Sequence, residues 1–100
     1  MEADLQKLLT LIQQKSPSLY PLICDQDVID YLENGEFGLA FELLTFNAEG
    51  FIEQLTEDVV FAITHILKTY DMHEFSKDLK IRARYDKFLR LAKAGFDQRR

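Results

Sequence analysis

Residues 31–42 read YLENGEFGLAFE, and the pair Asn34-Gly35 at their centre decides the fold class. Asn-Gly is the strongest short-range signal of a two-residue β-hairpin turn. Hairpin strands would need apolar and polar residues to alternate on both sides of it. Instead DVIDYLE before the pair and EFGLAFELL after it repeat their apolar residues at the helical period. Gly35 tolerates the left-handed conformation that commonly ends a helix, and Asn34 suits the position before it. The spacing therefore predicts a helix-to-helix corner. Glu36 opens the second helix, where negative charge favours the positive end of the dipole.

Upstream, Asp25 is placed to cap a helix with Val28, Ile29 and Leu32 on its buried side and Asp27, Asp30, Glu33 and Asn34 on the other. Before that, Leu5, Leu8, Leu9 and Ile12 mark one face of a first helix. It stops at Ser16-Pro17, because proline disfavours helical geometry in the residue before it. The loop SPSLYPL is expected to return the chain, with Leu19, Tyr20 and Leu22 over the core.

Downstream, the helix of roughly 36–47 carries two apolar stripes. Phe37, Ala40, Phe41, Leu44 and Ala48 form one, and Leu39, Leu43 and Phe46 form the other, nearly opposite. Only Gly38, Glu42, Thr45 and Glu49 are left for water. A helix apolar almost all round is usually buried on all sides. It is expected to be the central element, with Gly38 admitting a close neighbour. The alternative is that one stripe is a contact surface for another protein.

Thr56 is a good cap for the next helix, Glu57 and Asp58 load its first turn, and Leu55 with Val60 has the spacing of a hydrophobic staple. Val59, Ile63, Ile66, Leu67 and Tyr70 form its core face. Phe61 falls on the opposite side near Asp58 and His65, as either a scattered surface apolar residue or an anchor for a partner. Residues 71–79 break phase, with Asp71, Ser76 or Asp78 as caps. From Lys80 onward Ile81, Tyr85, Phe88, Leu89 and Ala92 face inward while Lys80, Arg84, Lys87 and Arg90 line the other side; Gly95 ends this helix and the last five residues are a loose tail. The expectation is an all-α, compact bundle of about five helices in one domain spanning residues 1–100.

Apolar residues make up 47% of the chain, which excludes a disordered composition. No apolar run approaches the roughly 18 residues needed to span a bilayer. The N-terminus carries acids where a secretory signal would be positive, and the lone Cys24 fits a reducing compartment. A soluble cytoplasmic protein is expected. Charge is segregated along the chain. Residues 1–74 hold 14 acidic and three basic residues, whereas residues 75–100 hold nine basic and three acidic. Between Asp25 and Asp58 there are ten carboxylates and no Lys or Arg. Such a field repels nucleic acid and speeds encounter with a cationic surface. The blander reading is a solvated surface that keeps the protein dissolved.

The chain offers little for catalysis. Asp25, Asp27, Glu33 and Glu36 match positions 1, 3, 9 and 12 of a calcium loop, but Asp30 stands where the sharp turn needs glycine. His65 and His73 lack the i, i+4 spacing of a helical zinc site. Cys24 has no evident histidine partner, and no Gly-rich phosphate loop exists. No enzyme, cofactor or metal is expected. The basic last helix has no interleaved aromatic residues to stack bases, so its cations are expected to pair with the protein's own acids or with an acidic strip on a partner.

Residues 31–42, through Gly35-Glu36, Gly38-Leu39-Ala40 and Glu42, resemble a segment of the MafI-type immunity proteins of bacterial polymorphic toxin systems. Contact-dependent growth inhibition systems carry related immunity proteins. In that family a helix runs into a Gly-Glu-aromatic-Gly-Leu-Ala-x-Glu core, in chains of about this length. The resemblance implies a small antitoxin that binds the C-terminal domain of a cognate toxin, often a nuclease. An acidic, base-free surface suits the positive cleft of such an enzyme. The residues expected to meet it are Asp27, Asp30, Glu33, Glu36 and Glu42, with Phe61 as the anchor. A homodimeric scaffold or regulator, joined through Leu39, Leu43 and Phe46, is the rival reading. Neither reading needs direct contact with nucleic acid or a membrane.

Overall fold

The computed structural model describes residues 1–72 and 77–94. They form an all-α bundle: α1 (Glu2–Lys15), a one-turn α2 (Tyr20–Ile23), α3 (Gln26–Glu33), α4 (Phe37–Glu49), a 3-10 turn (Ile52–Gln54), α5 (Glu57–Thr69) and α6 (Leu79–Ala94). The expectations for His73, Glu74, Ser76 and Gly95 and for the tail after it fall outside the described residues.

The corner at the centre of the sequence is helical, as its period predicts. Gly35 takes φ +73°, the left-handed region, just after the Asn34 cap. Asp25 caps α3 with one carboxylate oxygen, 3.0 Å from the Val28 amide. Its other oxygen accepts from Asn47 Nδ2 at 3.1 Å, and the same amide donates to the Ile23 carbonyl at 3.0 Å. The far end of α4 is thus tied to the start of α3, and the two helices run antiparallel.

A second antiparallel pair is α1 with α5. Lys15 meets Asp58 at 3.5 Å at one end, and the Tyr70 hydroxyl donates to Asp4 at 2.6 Å at the other. The first is a half-exposed pair of small energetic value. Between the pairs lies one continuous core, in which Leu5, Ile12, Ile23, Val28, Phe41, Leu44, Ile63 and Phe88 are fully buried. Phe41 and Tyr85 meet with ring centroids 6.0 Å apart, joining α4 to α6. Burial first of all pushes the Tyr85 hydroxyl up to about 12.

Several local expectations are corrected. Leu22 does not cover the core but is exposed; Ile23 takes that place, because the loop winds into α2 and turns Leu22 outward. Thr56 stands at the N-cap of α5 without making a side-chain cap bond. Asp71, at φ +50°, follows α5 and directly precedes the helical residue Met72, and Asp78 caps α6 as expected, accepting from the Lys80 amide at 2.8 Å. Thr45 is completely buried, its hydroxyl satisfied by the Glu42 carbonyl one turn back. Nothing packs closely on Gly38.

The largest correction concerns α4 as a whole. Ala40, Phe41, Leu44 and Ala48 are wholly buried, but Leu39 is 46% and Phe46 59% exposed. α4 is therefore not a central helix sheathed on every side. Helices α3 and α6 flank it, α1 and α2 pack on its inner side, and the second apolar stripe is left at the surface.

Candidate functional site

The exposed stripe of α4 lies at the bottom of an open groove of about 330 Å³, walled by Tyr31 from α3 and by Arg84 from α6. Leu39, Leu43 and Phe46 recur at i, i+4 and i+7 and so share a face. Asn47 turns toward α3 on one flank of the stripe, while Glu42 and Glu49 turn toward α6 on the other.

Arg84 does not point freely into water, as helical phase alone suggests. Its guanidinium carbon sits 5.0 Å from the centre of the Phe46 ring, and Nη1 donates to the Glu42 carbonyl at 3.4 Å. The Arg84 Nε is buried and finds no acceptor among the described residues. Stacking of this kind is worth about 0.5–1 kcal/mol at exposed sites. One turn on, Lys87 meets the Glu49 carboxylate at 3.6 Å. Two of the basic residues of α6 thus engage α4 of the same chain: Lys87 pairs with an acid, as expected, whereas Arg84 meets a ring and a backbone carbonyl instead.

The six residues expected to meet a partner do not converge on one spot. Asp27, Asp30, Glu33 and Glu36 are all exposed. Along α3 they divide by phase. Asp27, one turn from Tyr31, lies on the groove side, and Asp30 forms the crest. Glu33 lies on the opposite shoulder, in a mainly polar cleft of about 500 Å³ against α1 that Glu2, Gln6 and Gln13 also line. Asp30 accepts from Gln26 Nε2 at 2.8 Å. Asp27, Asp30, Glu33 and Glu36 have no ion pair among the described residues. Glu42 is half-buried beside Arg84. Phe61 is 44% exposed on α5, a helix that packs on α1 and α6 rather than on α3.

Cys24 is buried, and burial first, then the adjacent Asp25 charge, pushes its thiol up to about 12, far from a reactive thiolate. His65 is exposed, 3.5 Å from Thr69. Among the described residues no group of three or more His, Cys, Asp or Glu gathers closely enough to hold a metal ion. Nor is any described helix long and apolar enough to cross a membrane.

Comparison with protein families, with curated proteins and with solved structures gives no match. The groove was the feature least legible beforehand. Its apolar stripe is plain in the sequence, but its solvent exposure depends on which flank α6 occupies, and that contact joins residues some 40 apart.

Proposed function

We propose that this chain is an immunity protein that captures the cationic C-terminal domain of a cognate secreted toxin, a nuclease by preference, and neutralises it by stoichiometric occlusion in the cytoplasm. The observation that carries the reading is the outer side of α3, where Asp27 on one shoulder, Asp30 on the crest and Glu33 on the other shoulder stand exposed and without ion pairs among the described residues. It lies within a 34-residue stretch, Asp25 to Asp58, that has no basic residue at all. Carboxylates held this way keep their full field for an incoming partner, and steering of this kind raises association rates by about 10–1,000-fold at low salt. The resemblance of residues 31–42 to immunity proteins supplies the class of partner. The reading expects a large secreted protein ending in a toxic domain to be encoded beside this chain.

The test is inhibition of that domain by the wild type and by a charge-reversed triple variant, Asp27→Lys, Asp30→Lys and Glu33→Lys, with helicity checked by circular dichroism. The variant is expected to associate at least about tenfold more slowly, and added salt should slow the wild type toward it. Undiminished inhibition by a folded triple variant removes the α3 surface from the mechanism.

A further inference from the structure

The groove over α4 has walls of opposite charge. Above the lining residues, Asp27 lies one turn from Tyr31 on the α3 side; on the α6 side, Arg84 lines the groove beside Glu42, and Lys80 and Lys87 share its face of α6, Lys87 within 3.6 Å of Glu49. A purely acidic or purely basic partner would find one wall favourable and the other repulsive. A second copy of this chain satisfies both.

We propose that this face joins two copies of the chain in an isologous dimer, Leu39, Leu43 and Phe46 of one packing on those of the other. The charges select the symmetry axis. A two-fold axis running along α4 lays stripe on stripe and places the α3 of each copy over the α6 of the other. A two-fold axis across α4 would set α3 against α3, acid on acid, and like charges held together oppose that arrangement.

The levels along the helices also agree. α3 runs antiparallel to α4, with Asp25 beside Asn47 and Tyr31 beside Leu39 and Leu43. α6 runs parallel to it, with Arg84 beside Glu42 and Lys87 beside Glu49. Asp27 and Lys87 therefore both lie toward the Phe46 end, and in the dimer Lys87 is shared between Glu49 of its own copy and Asp27 of the other. Tyr31 comes over the Arg84 level. An apolar, aromatic centre with a charged rim is the usual anatomy of a protein interface. Asp30 and Glu33 stay outside it and Asp27 lies on the border of the two surfaces; the dimer itself does not depend on the capture of a toxin.

Sedimentation equilibrium of the purified chain, over a wide range of concentration, tests this without any toxin present. The wild type is expected to approach twice its 11.7 kDa mass. Phe46→Asp, a change at an exposed position, should remain folded by circular dichroism and monomeric. Asp27→Lys and Lys87→Glu should each weaken dimerisation about tenfold. The double variant carrying both should recover most of that loss, because the exchanged charges face each other again. A wild type that stays at monomer mass throughout overturns the proposal. So does a dimer that survives Phe46→Asp, or one in which the charge exchange brings no recovery.

Discussion

The two faces of α4 have nearly the same chemistry and opposite fates. Ala40, Phe41, Leu44 and Ala48 are sealed in the core, while Leu39 and Phe46, on the same helix, stand about half in water. Apolar character and helical period do not distinguish them. What does is the geometry of the neighbours: α3 and α6 flank α4 without closing over its outer side, and α1 and α2 cover the inner one. In the proposed dimer, the apolar stripe that the bundle leaves uncovered is the surface that meets the second copy.

Truncating each face in turn gives the largest expected contrast. Phe41→Ala should lose about 3–5 kcal/mol in urea unfolding, since it empties a filled core position that also packs on Tyr85. Phe46→Ala, measured in dilute solution, should lose no more than about 1 kcal/mol, the value of its contact with Arg84. Equal losses at the two positions would erase the distinction between the faces.

Much of the frame around α4 is legible in the sequence because it depends on local chemistry. Gly35 terminates a helix and Asp25 caps one for reasons contained within a few residues. The inner stripe, the α5 core face and the inward side of α6 follow from period alone. Three things do not. The single turn of α2 is too short to show a period. Thr45 looks polar, yet its hydroxyl bonds to the backbone of its own helix and so can be buried. Arg84 belongs by phase to an outer face, but a ring and a carbonyl on α4 hold it in the groove. Of the candidate site, the acidic residues were readable from composition. Their division between two shoulders of α3 was not, because it depends on which neighbours α3 packs against.

The anchoring of α4 can be loosened by smaller steps. Asp25→Ala removes both the cap of α3 and the acceptor for Asn47, and should cost about 1–2 kcal/mol by thermal unfolding. The two glycines of the corner segment should respond with opposite signs. Gly35→Ala forces a side chain into the left-handed region and should destabilise by about 1 kcal/mol. Gly38→Ala, in a helical turn with open space around it, should stabilise by up to about 1 kcal/mol.

The smallest effect lies away from α4, where α1 and α5 are pinned together. The Tyr70 hydroxyl, above all, holds the Asp4 carboxyl below its ordinary 3.8. A carboxyl depressed in the folded state stabilises above its unfolded pKa, and that stabilisation fades as pH falls through the lower folded value. Tyr70→Phe should therefore lower stability slightly at neutral pH and flatten the acid limb of the stability profile below about pH 4. An unchanged acid limb in Tyr70→Phe would show that another group sets it.

The most direct test of the claim that the outer stripe of α4 is a contact surface is the urea midpoint of the wild type and of Phe46→Asp across a series of protein concentrations. A folded dimer is stabilised by mass action, so the wild-type midpoint should climb with concentration. The Phe46→Asp midpoint should stay constant, at the level of the diluted wild type. A wild-type midpoint that ignores concentration, together with a Phe46→Asp protein that does not fold, would contradict the account, for the stripe would then belong to the core.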